Sequence, residues 1–329
     1  MKSNMIAFGP VPSRRLGLSL GINNIPAKHC SYSCIYCQVG VTPATEVERK
    51  KFYEPEEIFE QVKKRVETLK KQGEKIDYLS FVPDGEPALD LNLGREIMLL
   101  RTLKIPVAVI TNASLLWRED VREDLKKADW VSVKIATVSQ SVWKKMHRPH
   151  TELNLDMVLQ GIEQFASEYR GCLVTETLLV KGLNDSQTGL LATAKFLRKI
   201  SPARAYLGFP TRPPAENWVE PPDPTRINLA YQIFLKQSLP VELMGFPAAN
   251  NFGFSGDAAA DLLATTAVHP MEESQVWQFL QKAGADQALV EKLVSSGQVR
   301  WVHYRGQRFL LRCLSQDTRG SVKKGIKEE

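Results

Sequence analysis

The sequence reads as an α/β protein: about six βα units around a parallel sheet, followed by a small domain of three helices and a hairpin. Three observations predict this. From residue 19 to about 244, short β-branched or apolar runs alternate with longer stretches of helical period. A polar, Gly-rich or Pro-rich cluster follows each short run. After about residue 251 the alternation stops.

The first strand, 19–23, runs into a loop carrying Cys30, Cys34 and Cys37. The clearest helix begins at Glu54-Pro55-Glu56-Glu57, with Pro and acids in its first turn and Gly73 beyond its end. It sets Ile58, Phe59, Val62, Val66 and Leu69 on one face. Strand 78–82 leads to Pro83-Asp84-Gly85-Glu86-Pro87, strand 107–111 to Thr111-Asn112-Ala113-Ser114, and strand 130–135 to Lys134-Ile135-Ala136-Thr137. Strand 173–179 leads to Lys181-Gly182-Leu183-Asn184-Asp185 and strand 204–209 to Pro210-Thr211-Arg212-Pro213-Pro214, with a short seventh strand at 241–244. All these clusters lie at C-terminal strand ends. In βα barrels, loops from separate strands converge on that face and build the active site.

Beyond residue 252, segments 257–265, 271–283 and 286–295 read as helices, and 299–304 and 308–312 as strands around Arg305-Gly306-Gln307. That order resembles a winged helix. Arg300, Arg305, Arg308 and Arg312 interleave with Trp301, Tyr304 and Phe309, which suits phosphate contact and base stacking on an exposed wing. Residues 315–329 mix Lys, Arg, Gly and Ser without apolar period and read as a disordered basic tail. The expected organisation is 1–252, 253–314 and 315–329.

At 329 residues, 43% hydrophobic and 24% charged, the chain can bury a sizeable core. It has no run of about 20 apolar residues and no basic segment leading into an apolar one at its start, so we expect neither a membrane span nor export, and a cytoplasmic location. Cys172 and Cys313 read as two separate buried thiols in a reducing compartment. Of the net charge of +6, residues 290–329 carry +5, nine Lys/Arg against four Asp/Glu. Such asymmetry points to an acidic partner, RNA or DNA first, or else to a solvated face.

The chemistry is concentrated in Cys30-Ser31-Tyr32-Ser33-Cys34-Ile35-Tyr36-Cys37, a CxxxCxxC spacing. Three thiolates hold three irons of a [4Fe-4S] cube and leave the fourth open, whereas a purely electron-carrying cluster takes four cysteines. Zinc is the rival, with His29 as fourth ligand, but the adjacency of His29 and Cys30 is awkward for closing one tetrahedron.

CxxxCxxC after a first strand, Gly85-Glu86-Pro87 after a second, and a βα barrel resemble the radical S-adenosylmethionine (radical SAM) superfamily over roughly residues 10 to 245. Within it, Gly9-Pro10-Val11-Pro12-Ser13-Arg14-Arg15-Leu16-Gly17 and Cys37-Gln38-Val39-Gly40 resemble a group of Fe-S oxidoreductases related to the wyosine (tRNA) synthases. The resemblance implies a partial (β/α)6 TIM-like barrel and two cofactors, a [4Fe-4S] cluster on Cys30, Cys34 and Cys37 and S-adenosyl-L-methionine on its open iron. A reductant such as flavodoxin or ferredoxin would drive cleavage to a 5′-deoxyadenosyl radical that abstracts hydrogen from a substrate. Gly85 and Glu86 would engage the methionine amino group, Asn112 and Lys134 the ribose hydroxyls or carboxylate, and Tyr36 the adenine. Without the resemblance, Asn112 reads as a turn former, Lys134 as solvent-facing and Tyr36 as packing. Thr175, Glu176 and Thr177 present either a polar face to the barrel interior or satisfied core positions, and Arg14, Arg15 and Arg212 are further polar candidates.

Two departures stand out. Asp84 replaces the usual Gly of the family turn, and a non-Gly residue resists positive φ, which puts the turn geometry in doubt. No cysteine precedes Cys30, and Cys-Gln stands for the wyosine synthases' Cys-Trp-Arg, which argues against 4-demethylwyosine synthesis itself. The substrate is then expected to be a nucleic acid such as tRNA, or alternatively a protein or peptide. A different class is a redox-sensing, DNA-binding Fe-S regulator.

Overall fold

The computed structural model describes residues 6–244 and 252–313. An eight-stranded sheet runs in chain order from β1 to β8. Its parallel part comprises β2 (Gly17–Ile22), β3 (Tyr78–Phe81), β4 (Val107–Thr111), β5 (Trp130–Lys134), β6 (Cys172–Leu178), β7 (Arg204–Gly208) and β8 (Val241–Met244). These match the strands read from the alternating pattern, including the short seventh.

The strand that the sequence concealed is β1 (Ala7–Ser13), antiparallel to β2 and irregular between Phe8 and Val11. Pro10 and Pro12 lack the N–H that a central strand needs, so this segment sits at the sheet edge.

Seven helices join the parallel strands, as right-handed crossovers require an intervening element. They are α1 (Pro55–Lys71), α2 (Leu93–Arg101), α3 (Glu119–Leu125), α4 (Gln140–His147), α5 (Leu155–Glu168), α6 (Gln187–Ile200) and α7 (Pro224–Lys236). In α1, Ile58, Val62, Val66 and Leu69 are buried, as the helical period dictates, while Phe59 is half-buried. Together with Leu20, Ile22, Leu79, Phe81, Val107, Val109, Val131 and Val133, these side chains form one apolar layer between sheet and helices. Alternation then sends Ser19, Gly21, Ser80, Ile110, Glu176 and Leu178 to the other, concave face.

The C-terminal residues form α8 (Ala258–Val268), β9 (Met271–Glu272), α9 (Glu273–Ala283), α10 (Gln287–Ser295), β10 (Val299–Tyr304) and β11 (Gln307–Arg312). The expected helix at 271–283 therefore opens with two residues of strand, which pair with β11. Phe8 and Val11 of β1 share a hydrophobic core with Phe252, Leu262, Met271, Val276 and Leu310. Arg65 of α1 joins this seam, bonding the carbonyl of Gly9 and pairing with Asp261 at 2.7 Å. The tail expected at 315–329 lies outside the described residues. Cys172, expected buried, is exposed at the start of β6, and Cys313 is half-buried. Among the described residues no helix is long and apolar enough to cross a membrane.

Candidate functional site

The cysteine loop follows β2 and is fixed by backbone bonds to its surroundings. The N–H groups of Ser33 and Ile35 donate to the carbonyls of His147 (2.9 Å) and Met146 (3.0 Å) at the end of α4. Ile35, fully buried, anchors the loop against Ala136, Met146, Val180 and Val219. Tight turns, with Cys37 N–H on the carbonyl of Cys34 (3.1 Å) and Gly40 N–H on that of Cys37 (3.2 Å), bring the three thiols into one electrostatic group. Burial, reinforced by Glu86, pushes the Cys30 thiol up to about 12, and burial raises Cys34 well above the ordinary thiol range. Buried thiols with these shifts ionise only when a cation compensates them. Among the described residues no three His, Cys, Asp or Glu side chains converge on a point that would hold one ion. Three thiols on one loop, each able to take a separate iron, suit a cube with an open iron by the chemistry of the donor set. His29, the candidate fourth zinc ligand, is hydrogen-bonded to Glu46 through Nδ1 and packed against Phe52.

After β3, Glu86 is almost fully buried, and its carboxylate is saturated by protein donors. Oε1 accepts from the Thr111 hydroxyl (2.6 Å) and the Ala88 N–H (3.1 Å), and Oε2 from the Asn112 N–H (2.7 Å). Its own N–H donates to the carbonyl of His29 (2.9 Å). Glu86 therefore ties the cysteine loop, the turn after β3 and the end of β4 together. A Cβ on Gly85 would stand 1.9 Å from the His29 carbonyl oxygen, so close approach is what demands glycine there. Neither Asp84 nor Gly85 adopts positive φ, which removes the expected conflict at Asp84.

At the end of β4, the Asn112 amide reaches Cys30 Sγ (3.5 Å) and Ser31 Oγ (2.9 Å). Lys134, ending β5, is registered opposite Glu176 of β6. Burial works against its charge, but Glu176 and the thiols of Cys34 and Cys37 outweigh that and raise its pKa. Burial likewise opposes the Glu176 carboxylate, yet Arg15 and Lys134 hold its pKa below the usual range. Arg15 and Glu176 form an ion pair. Tyr36 bonds Cys34 and meets His147 edge-on at 5.7 Å; burial drives that imidazole to about 4, so it is neutral. Cys30, Cys34, Tyr36, Cys37, Gly85, Glu86 and Asn112 thus lie in loops after the C-terminal strand ends, and Lys134 is the last residue of β5. Arg15–Glu176 was the unread connection, since the pair joins the turn between β1 and β2 to β6.

Beside them, a cavity of about 580 Å³ occupies the concave face of the sheet, roofed by the C-terminal residues. Its polar wall includes Arg14, Arg15, Gln38, Glu176, Arg212 and His269, with Arg305 and Gln307 from the hairpin. Of the alternating trio in β6, Glu176 faces this space while Thr175 and Thr177 turn to the buried opposite side, where the Thr177 hydroxyl bonds the carbonyl of Ile135 (2.8 Å). The hairpin aromatics are engaged internally. Trp301 packs against Trp277 and under Arg308, Phe309 is buried, and the Tyr304 hydroxyl donates to the carbonyl of Pro210.

A thiol triad at the mouth of a partial βα barrel, with an adjoining cavity, defines an iron-sulfur enzyme that docks a cofactor at its cluster. The family model "Radical SAM superfamily" matches residues 24–193, more than half of the chain, and the chain belongs to that superfamily. Its members use a [4Fe-4S] cluster and S-adenosylmethionine. The UPF0026 protein MJ1312 of Methanocaldococcus jannaschii is 44% identical over 309 residues, 93% of this chain and 96% of that one. A radical SAM methyltransferase from Sphaerobacter thermophilus superposes with a TM-score of 0.51 at 16% identity, covering 69% of this chain and 66% of the other. Streptococcus suis SuiB bound to precursor peptide SuiA gives 0.52 at 15% identity, covering 67% and 48%. At these identities the two structures show a common fold.

Proposed function

We propose that this chain cleaves S-adenosylmethionine reductively at a cluster on Cys30, Cys34 and Cys37 and directs the resulting radical at a substrate in the adjoining cavity. The observation that carries this reading is the convergence of the three thiols, Asn112 and Lys134 beside a cavity on the concave face. When bound, cluster and cofactor supply the 5′-deoxyadenosyl radical that abstracts hydrogen. The protein's part is positioning and exclusion of water. Lys134, kept protonated by Glu176 and the thiols, offers a cation to a carboxylate. Asn112 offers an amide beside Cys30, and Tyr36 a ring along the loop. Because Glu86 already accepts three protein hydrogen bonds, its role is to position Asn112 and the turn at Gly85, whose backbone then meets the amino group.

A nucleic acid such as tRNA is the substrate class we favour, supported by the exposed edge of Arg300, His303 and Arg305 beside an arginine-lined cavity. Base stacking on the hairpin is not part of this reading, because its aromatic side chains have internal partners. The test is anaerobic reconstitution with iron and sulfide, reduction, and chromatography of 5′-deoxyadenosine and methionine. Both products are expected, and alanine at all three cysteines should abolish the cluster's visible absorbance and the cleavage. A chain that binds one zinc tightly and no cluster overturns the reading.

A further inference from the structure

The cavity wall carries more positive charge than the protein itself neutralises. Its charged lining consists of Arg14, Arg15, Arg212 and Arg305 against Glu176 and Glu272, four guanidiniums to two carboxylates, an excess of two. Both acids are already engaged. Glu176 pairs with Arg15 and faces Lys134, and Glu272 accepts from the Ser274 hydroxyl at 3.1 Å.

Arg212 is the least compensated of the four. It is held in a stiff loop between Pro210 and Pro213-Pro214, where fixed φ angles limit its freedom to leave. Its Nη1 donates to Gln38 Oε1 at 3.2 Å, and its Nη2 meets His269 Nε2 at 2.7 Å. Burial, then the charge of Arg212, keeps His269 neutral, so it serves as an acceptor and brings no charge of its own. Burial, Arg14 and Arg15 all act against the Arg212 cation, and its pKa falls to about 10. Burial also opposes Arg14, which Glu242 only partly offsets. Four arginines lining one cavity that holds only two carboxylates, with Glu242 and Glu220 acting on Arg14 and Arg305 from outside that lining, form a receptor suited to an anion.

We propose that this cavity is a phosphoryl-binding subsite, in which Arg14, Arg15, Arg212 and Arg305 hold a phosphate group of the substrate. The inference rests on the reading of the cavity as the substrate site and adds the chemistry of what enters it. The lining's excess of two positive charges matches one dianionic phosphate monoester or two adjacent monoanionic phosphodiesters, whose oxygens accept several planar forks at once, whereas a single carboxylate leaves one charge over. Gln38 directly follows Cys37, so Arg212 is tied through it to the cysteine loop, and the anchored phosphate would hold the rest of the substrate beside the reaction centre.

The experiment is calorimetric titration of the full chain with inorganic phosphate at low salt, with acetate at matched ionic strength as the comparison. Phosphate is expected to bind and acetate to bind at least tenfold more weakly. Arg212→Ala and Arg14→Ala are each expected to weaken phosphate about tenfold or more, and Arg212→Lys, which keeps charge and loses the fork, to recover it only in part. Circular dichroism checks that the variants fold; if Arg212→Ala does not, Arg14→Ala carries the comparison. Ribose 5-phosphate binding more tightly than a trinucleoside diphosphate of equal charge assigns the group to a small phosphorylated metabolite; the reverse order assigns it to a nucleic-acid backbone. Absence of phosphate binding, equal affinity for acetate, or binding indifferent to the substitutions overturns the subsite. Phosphate binding without S-adenosylmethionine cleavage sinks the enzymatic reading alone, and cleavage without phosphate binding sinks the subsite alone.

Discussion

Asp84 is a residue whose ionisation should be visible in the stability of the molecule. Burial lifts its carboxyl from 3.8 to about 7, against the attraction of Lys28 and Arg312. Between those values the folded chain holds the proton more tightly than the unfolded chain, so this contribution is full below about pH 4 and is lost as pH rises towards 7. The span corresponds to a loss on the order of 4 kcal/mol. Asp84→Asn should flatten that part of a urea-denaturation stability profile and stabilise the protein at pH 8; an unchanged slope would refute the assignment. At the next position, Gly85→Ala forces a Cβ to within 1.9 Å of a backbone oxygen. A cost of about 1–3 kcal/mol and lower iron uptake on reconstitution are expected, read by thermal melts and iron analysis. The resemblance picked out Gly85 as a contact for the methionine amino group but not the crowding that demands glycine, because the His29 carbonyl comes from a different loop.

At the scale of elements, the parallel strands were legible because each is an apolar run shielded on both sides, and β1 was not, because two prolines mask a strand that needs partners on one side only. The loops carrying Cys30, Glu86, Asn112 and Lys134 were legible for the same reason, since each follows a readable strand. What the sequence could not show was how side chains from those loops saturate one another, as Glu86 does, or that Arg15 meets Glu176 across 161 positions. The seam between α1 and α8 is similarly hidden. There Asp261 is 1% and Arg65 9% exposed, and Asp261 also accepts from the N–H and hydroxyl of Ser255. Breaking one partner of such a buried pair costs about 3–5 kcal/mol. Asp261→Ala should therefore lower the urea midpoint and open the α8 region to limited proteolysis, while replacing Lys181 of the exposed pair Lys181–Glu220 by Ala should leave the midpoint nearly unchanged.

For the whole molecule, the C-terminal residues are structural partners of the barrel edge as well as walls of the cavity. A chain ended after Met244 would bare Phe8 and Val11, each worth about 1.5–3 kcal/mol on burial, so it should be less stable by at least about 3 kcal/mol and bind a hydrophobic dye. Dye binding and stability equal to those of the full chain would show that the shared core is unimportant. The same seam has a temporal consequence. Phe8 precedes its apolar partners Met271, Val276 and Leu310 by more than 260 residues, so it is synthesised well before them. The residues that roof the cavity, from His269 to Phe309, are likewise made after the cysteine loop and the concave face, so iron and sulfide delivered during synthesis would meet that face before its roof exists.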